Sequence, residues 1–92
     1  MINNSNFYEN TALMNGGVIF IDQILNLNII STNFTDNKAP TGDGGALTIQ
    51  NFNNLELDNC LFSNNLAGQN GGALKLINNK TTSYLHINNT IF

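Results

Sequence analysis

The same glycine doublet occurs three times in the sequence, and this recurrence restricts the possible folds more than any other feature. The doublets read GGVI, GGAL and GGAL and begin at Gly16, Gly44 and Gly71, with spacings of 28 and 27 residues. A constant period of roughly 20 to 50 residues is typical of proteins in which one structural unit stacks on the next. The chain is therefore interpreted as a repeat protein.

Two further marks alternate with the doublets. The first is phenylalanine-x-x-asparagine-x-alanine, which begins at Phe7, Phe34 and Phe62, while Phe92 ends the chain in the same register. The second is a pair of aliphatic residues two positions apart, found as Leu27 and Ile29, Leu55 and Leu57, and Leu85 and Ile87. Three marks in a constant order indicate one repeat of about 28 residues.

Within each repeat, apolar and polar residues alternate with the period of two that is typical of β-strands, and no helical period is present. The uniformly aliphatic or aromatic positions are predicted to point inward, and the residues between them to face solvent. The predicted inward ladders are Ile19, Leu47 and Leu74; Ile21, Ile49 and Leu76; Leu27, Leu55 and Leu85; Ile29, Leu57 and Ile87; and Phe7, Phe34, Phe62 and Phe92. The predicted solvent-facing sets are Phe20, Thr48 and Lys75, and Asn28, Glu56 and His86.

Three short strands in a repeat of this length favour a parallel β-helix, in which each repeat forms one coil and equivalent strands stack about 4.8 Å apart. Antiparallel hairpins are disfavoured because a tight-turn pair such as Asn-Gly occurs at most once per repeat. The sequence thus predicts an all-β fold, a parallel β-solenoid of about three coils with three short strands in each. The single segment 1–92 is predicted to divide into a partial coil 1–15 and coils 16–43, 44–70 and 71–92.

Asparagine and glycine have predicted roles between the strands. Asn10, Asn37 and Asn65 share one repeat position, where their side chains are predicted to form a hydrogen-bonded ladder along the stack. The glycine doublets suit a bend with positive φ, at which the missing Cβ lets neighbouring coils approach each other. Both residue types are therefore interpreted as parts of the scaffold.

The alternation of GG-[AV]-[IL] with F-x-x-N resembles the repeat of the chlamydial polymorphic outer-membrane proteins. The resemblance extends over nearly the whole chain, with three doublets and three complete F-x-x-N marks, and Val18 stands where the family usually has alanine. It implies a right-handed parallel β-helix that is exposed outside the cell. It also implies a role in adhesion or as a structural stalk.

Composition excludes several classes of partner. Charged residues make up 10% of the chain, arginine is absent, and the net charge is −3. Binding to nucleic acid or to an anionic membrane needs a basic patch that neutralises phosphates, so neither is expected. The longest strictly aliphatic or aromatic runs have about four residues, whereas a membrane helix needs about 20, so no membrane-spanning segment is predicted.

Candidate catalytic carboxylates are few. Glu56 and Asp58 share an outward face, but the residues predicted beside them in the adjacent coils are asparagine, isoleucine and histidine. The paired carboxyls that glycoside hydrolysis needs therefore do not accumulate on this face. Glu56 and His86 are instead predicted to form a surface ion pair.

The remaining reactive residues also favour structural roles. Cys60 shares its repeat position with small polar residues and is predicted to fill the interior rather than to act as a nucleophile. Asp36 and Asp43 lie in predicted turns that lack a calcium-binding pattern. The glycine doublets are not followed by the lysine of a phosphate-binding loop. No catalytic residue, metal site or cofactor is predicted, and the chain is not expected to be an enzyme.

Four Asn-x-Ser/Thr sequences are candidate sites of N-glycosylation. They lie at Asn3, Asn33, Asn79 and Asn88, and all four are predicted to be accessible. Modification would require a eukaryotic secretory route.

These observations favour a non-enzymatic, extracellular or cell-surface β-solenoid that builds a filament, stalk or coat. One alternative is an adhesin-like binding module whose outward ladders contact a receptor or glycan. Another is a fragment of a carbohydrate-active β-helix enzyme whose active coils lie elsewhere. Neither end shows the polar cap that a solenoid needs. The chain is therefore expected to continue in a longer solenoid or to stack head to tail with copies of itself.

Overall fold

The structure is a computed structural model that describes residues 1–78 and 82–92. Those residues contain ten β-strands and no helix. The strands are β1 (Ile2–Asn3), β2 (Asn6–Tyr8), β3 (Ile19–Ile30), β4 (Asn33–Thr35), β5 (Lys38–Ala39), β6 (Leu47–Asp58), β7 (Leu61–Ser63), β8 (Leu66–Ala67), β9 (Leu74–Ile77) and β10 (Tyr84–Asn88).

All strand pairs are parallel, and each pair joins strands from successive repeats. The largest sheet has the order β1-β3-β6-β10, with β9 also paired to β6. The second sheet has the order β2-β4-β7, and the third pairs β5 with β8. The backbone thus winds through about three turns around a common axis. The predicted all-β parallel β-solenoid is confirmed.

A complete coil contains three strands, but they are divided differently from the expectation. The two aliphatic segments of each repeat, expected as separate strands, form one strand of 12 residues in β3 and again in β6. A bend at Gln23 and at Asn51, where φ is 69° and 55°, turns the backbone without ending the pairing. The short strands β5 and β8 lie where only a turn was expected.

Left-handed backbone conformations form the corners of each coil. Among the described residues, nine that are not glycine have positive φ, and five of these are asparagine. Asparagine tolerates this region because its short side chain hydrogen-bonds locally. Part of the high asparagine content therefore has a direct conformational reason. The corners recur in columns: Asn4, Ser31, Asn59 and Asn89; Glu9, Asp36 and Asn64; Gln23 and Asn51; and Gly16, Gly44 and Gly71.

The core is a set of ladders that run along the stack. Leu47 lies between Ile19 and Leu74, and Leu55 lies between Leu27 and Leu85. The middle coil is the most completely enclosed, and Leu47, Leu55 and Leu57 are fully buried. In the last coil Leu85 and Ile87 are 48% and 41% exposed, because no described coil lies beyond them. The remaining inward pairs are Ile21 with Ile49, Ile49 with Leu76, Ile29 with Leu57, and Leu57 with Ile87.

Four of the six phenylalanines form one continuous aromatic stack. Neighbouring ring centroids from Phe7 through Phe34 and Phe62 to Phe92 are 5.2, 4.7 and 4.9 Å apart, and the ring planes differ by 12°, 10° and 14°. Offset stacking of this kind adds about 0.5 to 1.5 kcal/mol per pair beyond the buried area. Phe34 is fully buried at the centre of the stack, and Phe92 is 59% exposed at its end.

The expectation that Thr48 faces solvent is wrong. Thr48 lies in register between Phe20 and Lys75 as expected, but only 1% of its surface is exposed. The segment before the glycine doublet folds over it, and its hydroxyl donates a hydrogen bond to the carbonyl oxygen of Asp43 at 2.9 Å. The solvent-facing set at this position is therefore interrupted in the middle coil.

Candidate functional site: the polar ladders and the outward face

The asparagine ladder lies in the turn after each phenylalanine. The side-chain oxygen of Asn37 accepts hydrogen bonds from the backbone nitrogen and from Nδ2 of Asn10, at 3.0 and 3.1 Å. The oxygen of Asn65 accepts the same two bonds from Asn37, both at 3.0 Å. The Nδ2 groups of Asn37 and Asn65 also donate to the carbonyls of Phe7 and Phe34. Asn37, which is fully buried, therefore has its donors and its acceptor satisfied by the coils.

A second polar ladder, which was not predicted, stands immediately before the glycine doublets. The side-chain oxygen of Asn15 accepts the backbone N–H of Asp43 at 2.9 Å, and that of Asp43 accepts the backbone N–H of Asn70 at 2.8 Å. Here the later coil donates to the earlier one, which is the reverse of the asparagine ladder. The signal in the sequence is an Asn or Asp before every doublet, and we call this set the doublet ladder.

The broad outward face of the largest sheet carries the column Asn28, Glu56 and His86. The three residues are in register and half-buried. The predicted ion pair between Glu56 and His86 does not form. The one ion pair within residues 1–78 and 82–92 joins Lys75 to Asp43, at 3.9 Å. The Nδ1 atom of His86 instead lies 3.2 Å from the hydroxyl of Tyr84, two residues away on the same strand.

Glu56 and Asp58 are two carboxylates of the outward face, two positions apart on β6. Asp58 accepts a hydrogen bond from the Asn88 side chain at 3.4 Å, beside Glu56 on the same face. In the described part of the chain, no three His, Cys, Asp or Glu side chains lie together so that they could hold a metal ion.

A shallow depression on the surface is lined by Glu9, Thr11, Asp36 and Lys38. A hydrogen bond to the Glu9 side chain, helped by its negative charge, raises the pKa of the neighbouring Tyr8. Tyr8 is 61% exposed, so solvent screens this interaction. The depression combines both signs of charge, since Glu9 and Asp36 lie at equivalent corners of successive coils beside Lys38.

Cys60 is enclosed in the interior. Only 3% of its surface is exposed, and its sulfur lies 3.4 Å from the carbonyl oxygens of Ile29 and Asp58. Thr32 holds the same position in the preceding coil, and its hydroxyl donates to the carbonyl of Ile30, two residues before it, at 2.8 Å. The other residues of this position are Ser5 and Thr90. A small buried thiol among threonines has the environment of a packing residue.

Three of the four glycosylation candidates can be placed. Asn3, Asn33 and Asn88 are exposed, and Asn79 lies outside the described residues. The hydroxyls of Ser5 and Thr90 each donate to the backbone carbonyl of the candidate asparagine two residues before, at 2.9 Å. Asn3 and Asn88 thus occupy equivalent positions at the ends of β1 and β10. The described part of the chain includes no helix that is long and apolar enough to span a bilayer.

The family model of the Chlamydia polymorphic membrane protein repeat matches residues 4–22, 31–50 and 59–77. These three matches cover more than half of the chain. The chain belongs to this repeat family. Each matched stretch of the polymorphic membrane protein repeat begins before a phenylalanine and continues through the next glycine doublet into the aliphatic strand. No curated protein and no solved structure matches the chain.

Proposed function

We propose that the chain is a non-enzymatic, structural β-solenoid of an extracellular or cell-surface protein, in which it builds a filament, stalk or coat. The proposal rests on how the repeated positions are used. The glycine, phenylalanine, asparagine and aliphatic marks all lie in the core, at corners or in the ladders that join coils. Solvent-facing positions change from coil to coil, as at Asn28, Glu56 and His86. The positions that recur in every repeat therefore stabilise the stack of coils, and none of them repeats a reactive site.

The surface location is supported by the family description, which names a membrane protein. Antibodies against the outward face should label intact, unpermeabilised cells of the source organism. Labelling that requires permeabilisation would contradict the proposed location and would leave the solenoid architecture unaffected.

The exposed end of the stack supports a further proposal about partners. Leu85, Ile87 and Phe92 belong to the inward ladders but are 41% to 59% exposed. A coil of the same repeat, from a continued chain or from a second copy, would cover these side chains and pair with β9 and β10. Parallel edges of this kind template further pairing.

Stacking of two copies has a geometric condition. Ile2 and Ile87 belong to one ladder, and Phe7 and Phe92 belong to another. If the ladders continued into a second copy, its segment 2–7 would occupy the position already held by segment 87–92 of the first. One of the two segments must be displaced before the copies can stack. Removal of residues 1–6 should therefore favour association.

Sedimentation velocity over a series of concentrations tests this proposal. We expect the full chain to associate and the chain without residues 1–6 to associate about tenfold more tightly, which is about 1.4 kcal/mol. Leu85→Asp, which places a charge on the open edge, should abolish association in both backgrounds. Electron micrographs should show rods that lengthen with concentration. A full chain that stays monomeric and melts cooperatively would rule out head-to-tail stacking.

The outward face favours a second candidate function, an adhesin-like binding module. Within the described residues, no hydrogen bond or ion pair involves the side chains of Asn28 and Glu56. Unpaired polar groups on the outward face of a sheet are available to a receptor or glycan. Binding of the chain to host-type cells and to glycan arrays should fall when both residues are replaced by alanine. The control is Asn26→Ala with Asn54→Ala, which alters the neighbouring hydrogen-bonded pair instead. Loss of binding in both double variants would argue against a specific contact.

We also propose that the exposed sequons carry N-glycans when the chain passes through a eukaryotic secretory route. Intact mass before and after enzymatic deglycosylation decides this point. Asn→Gln variants at Asn3, Asn33, Asn79 and Asn88 should remove the mass shift one site at a time. An unchanged mass after deglycosylation would refute the proposal.

A further inference from the structure

Two asparagines with identical local sequences lie at opposite ends of the doublet ladder. Asn15 and Asn70 are each followed by two glycines. An asparagine before glycine is prone to spontaneous deamidation, because the missing Cβ lets the next backbone nitrogen approach the side-chain amide. Since the two sites share the sequence Asn-Gly-Gly, their reactivities in the native protein are set mainly by the fold.

The fold restrains Asn15 at both reacting groups. Its side-chain oxygen accepts the backbone N–H of Asp43 at 2.9 Å. The nitrogen of Gly16, which would be the nucleophile, donates to the carbonyl oxygen of Asp43 at 3.0 Å. Attack requires this nitrogen to lose its proton and the carboxamide to rotate towards it, so both hydrogen bonds must first break.

Asn70 has neither restraint. Between residues 1–78 and 82–92 there is no hydrogen bond to the Asn70 side chain and none from the backbone nitrogen of Gly71. Asn70 is exposed, whereas Asn15 is half-buried. The backbone of Asn70 is nevertheless fixed, because its N–H donates to the Asp43 side chain and its carbonyl accepts from the nitrogen of Gly44 at 2.9 Å. The carboxamide of Asn70 and the backbone nitrogen of Gly71 are therefore accessible to water, although the backbone around them is ordered.

We propose that Asn70 is a site of selective spontaneous deamidation. The Gly71 nitrogen gives its proton to solvent base and attacks Cγ of Asn70. The bond from Cγ to the side-chain nitrogen breaks, and that nitrogen leaves as ammonia after taking a proton from solvent. One water molecule then opens the resulting succinimide to aspartate or isoaspartate. Water is the only co-reactant.

The product changes the corner at which it forms. Either product adds a negative charge next to Asp43, whose only ionic partner among the described residues is Lys75. Isoaspartate also lengthens the backbone by one methylene immediately before Gly71, whose carbonyl accepts the N–H of Gly45 at 3.1 Å. Deamidation should therefore weaken the attachment of the last coil.

The test compares the two sites within one molecule. The full chain is incubated at neutral pH at a concentration at which sedimentation shows it to be monomeric, because a further coil stacked on the open end would give Asn70 the same two bonds that restrain Asn15. It is incubated both folded and in denaturant, and the deamidation rate at each asparagine is followed by tandem mass spectrometry. The protection factor is the rate in denaturant divided by the rate in the folded protein. We expect a factor near one at Asn70 and about tenfold or more at Asn15, whose hydrogen bonds require local opening.

Two variants keep the test decisive. Asn70→Gln should abolish the fast reaction, because glutamine must form a larger ring. Asp43→Ala removes the side-chain acceptor for Asn70 but leaves the backbone groups that restrain Asn15, so the protection factor at Asn15 should stay high. Equal protection factors at the two sites in the folded full chain, or greater protection at Asn70, would overturn the proposal.

Discussion

Asn37 donates two hydrogen bonds to the single side-chain oxygen of Asn65 in the next coil, one from its backbone nitrogen and one from Nδ2, both at 3.0 Å. The same oxygen thereby fixes a turn and a side chain of the neighbouring repeat. This relation explains why asparagine serves here better than serine or aspartate. Asparagine supplies an acceptor for the coil on one side and a donor for the coil on the other.

Asn37→Ala should destabilise the fold strongly. The substitution removes two donated side-chain bonds and the acceptor for Asn10, and it leaves buried carbonyl and amide groups unpaired. At about 1 kcal/mol per bond, the free energy of unfolding should fall by about 2 to 4 kcal/mol in denaturant titrations. Asn10→Ala is the control, because it removes one exposed member of the same ladder and should cost less than about 1 kcal/mol. Equal losses would contradict the assigned ladder.

Gln23→Asn should stabilise the protein. Gln23 has a φ of 69°, and a residue other than glycine or asparagine pays about 1 to 2 kcal/mol in this region. The equivalent residue in the next coil is already Asn51, with a φ of 55°. We expect the free energy of unfolding to rise by about 0.5 kcal/mol or more. The same change at Gln50, which is extended in β6, should give no gain. A stabilisation at both sites would point to a cause other than the corner.

Gly45→Ala and Gly72→Ala occupy equivalent positions and should behave differently. A Cβ on Gly45 would collide with the carbonyl oxygen of Gly72, whereas a Cβ on Gly72 would lie 3.3 Å from its nearest neighbour, the carbonyl oxygen of Asn65. The backbones of adjacent coils cannot separate without loss of ladder bonds. Gly45→Ala should therefore lower the free energy of unfolding by at least about 2 kcal/mol, and Gly72→Ala by less than about 1 kcal/mol. Thermal melts of both variants give the comparison, and similar melting temperatures would disprove the close approach.

Phe34→Ala should cost far more stability than Phe92→Ala. Phe34 is fully buried between two parallel rings, while Phe92 has one ring neighbour and is 59% exposed. Large buried-to-alanine changes of this kind cost about 3 to 5 kcal/mol, and the exposed end should cost about 1 kcal/mol. Phe34→Leu should recover part of the loss, because it refills most of the cavity. If Phe92→Ala proved as damaging as Phe34→Ala, an additional contact would have to cover the end of the stack.

Much of the architecture could be predicted because one sequence period equals one turn of the solenoid. Residues one period apart, such as Leu47 and Leu74, are partners in a parallel sheet, so a comparison of the sequence with itself also predicts spatial neighbours. The fold class and the family resemblance followed from the same marks and are confirmed.

The features that were not predicted depend on contacts that cannot be inferred from the position of a residue in the repeat. The doublet ladder was missed because Asp43 interrupts the run of asparagines, although its carboxylate accepts the same N–H. Thr48 was expected to face solvent because it alternates with inward residues along the strand. That pattern does not reveal that the preceding segment folds over its side chain. The continuous strands β3 and β6 were missed because the residues between the two aliphatic segments, Gln23 and Asn51, bend the backbone without ending the pairing.

The two polar ladders run in opposite senses, and the coil 16–43 both gives and receives bonds in each of them, through Asn37 and Asp43. A turn of the solenoid is therefore interchangeable with its neighbours as far as these contacts are concerned. In genetic terms, an in-frame duplication or excision of 27 or 28 codons would leave each remaining coil between two neighbours that can form the same hydrogen bonds. Selection on such a gene can therefore change the length of the solenoid without requiring any new contact between coils.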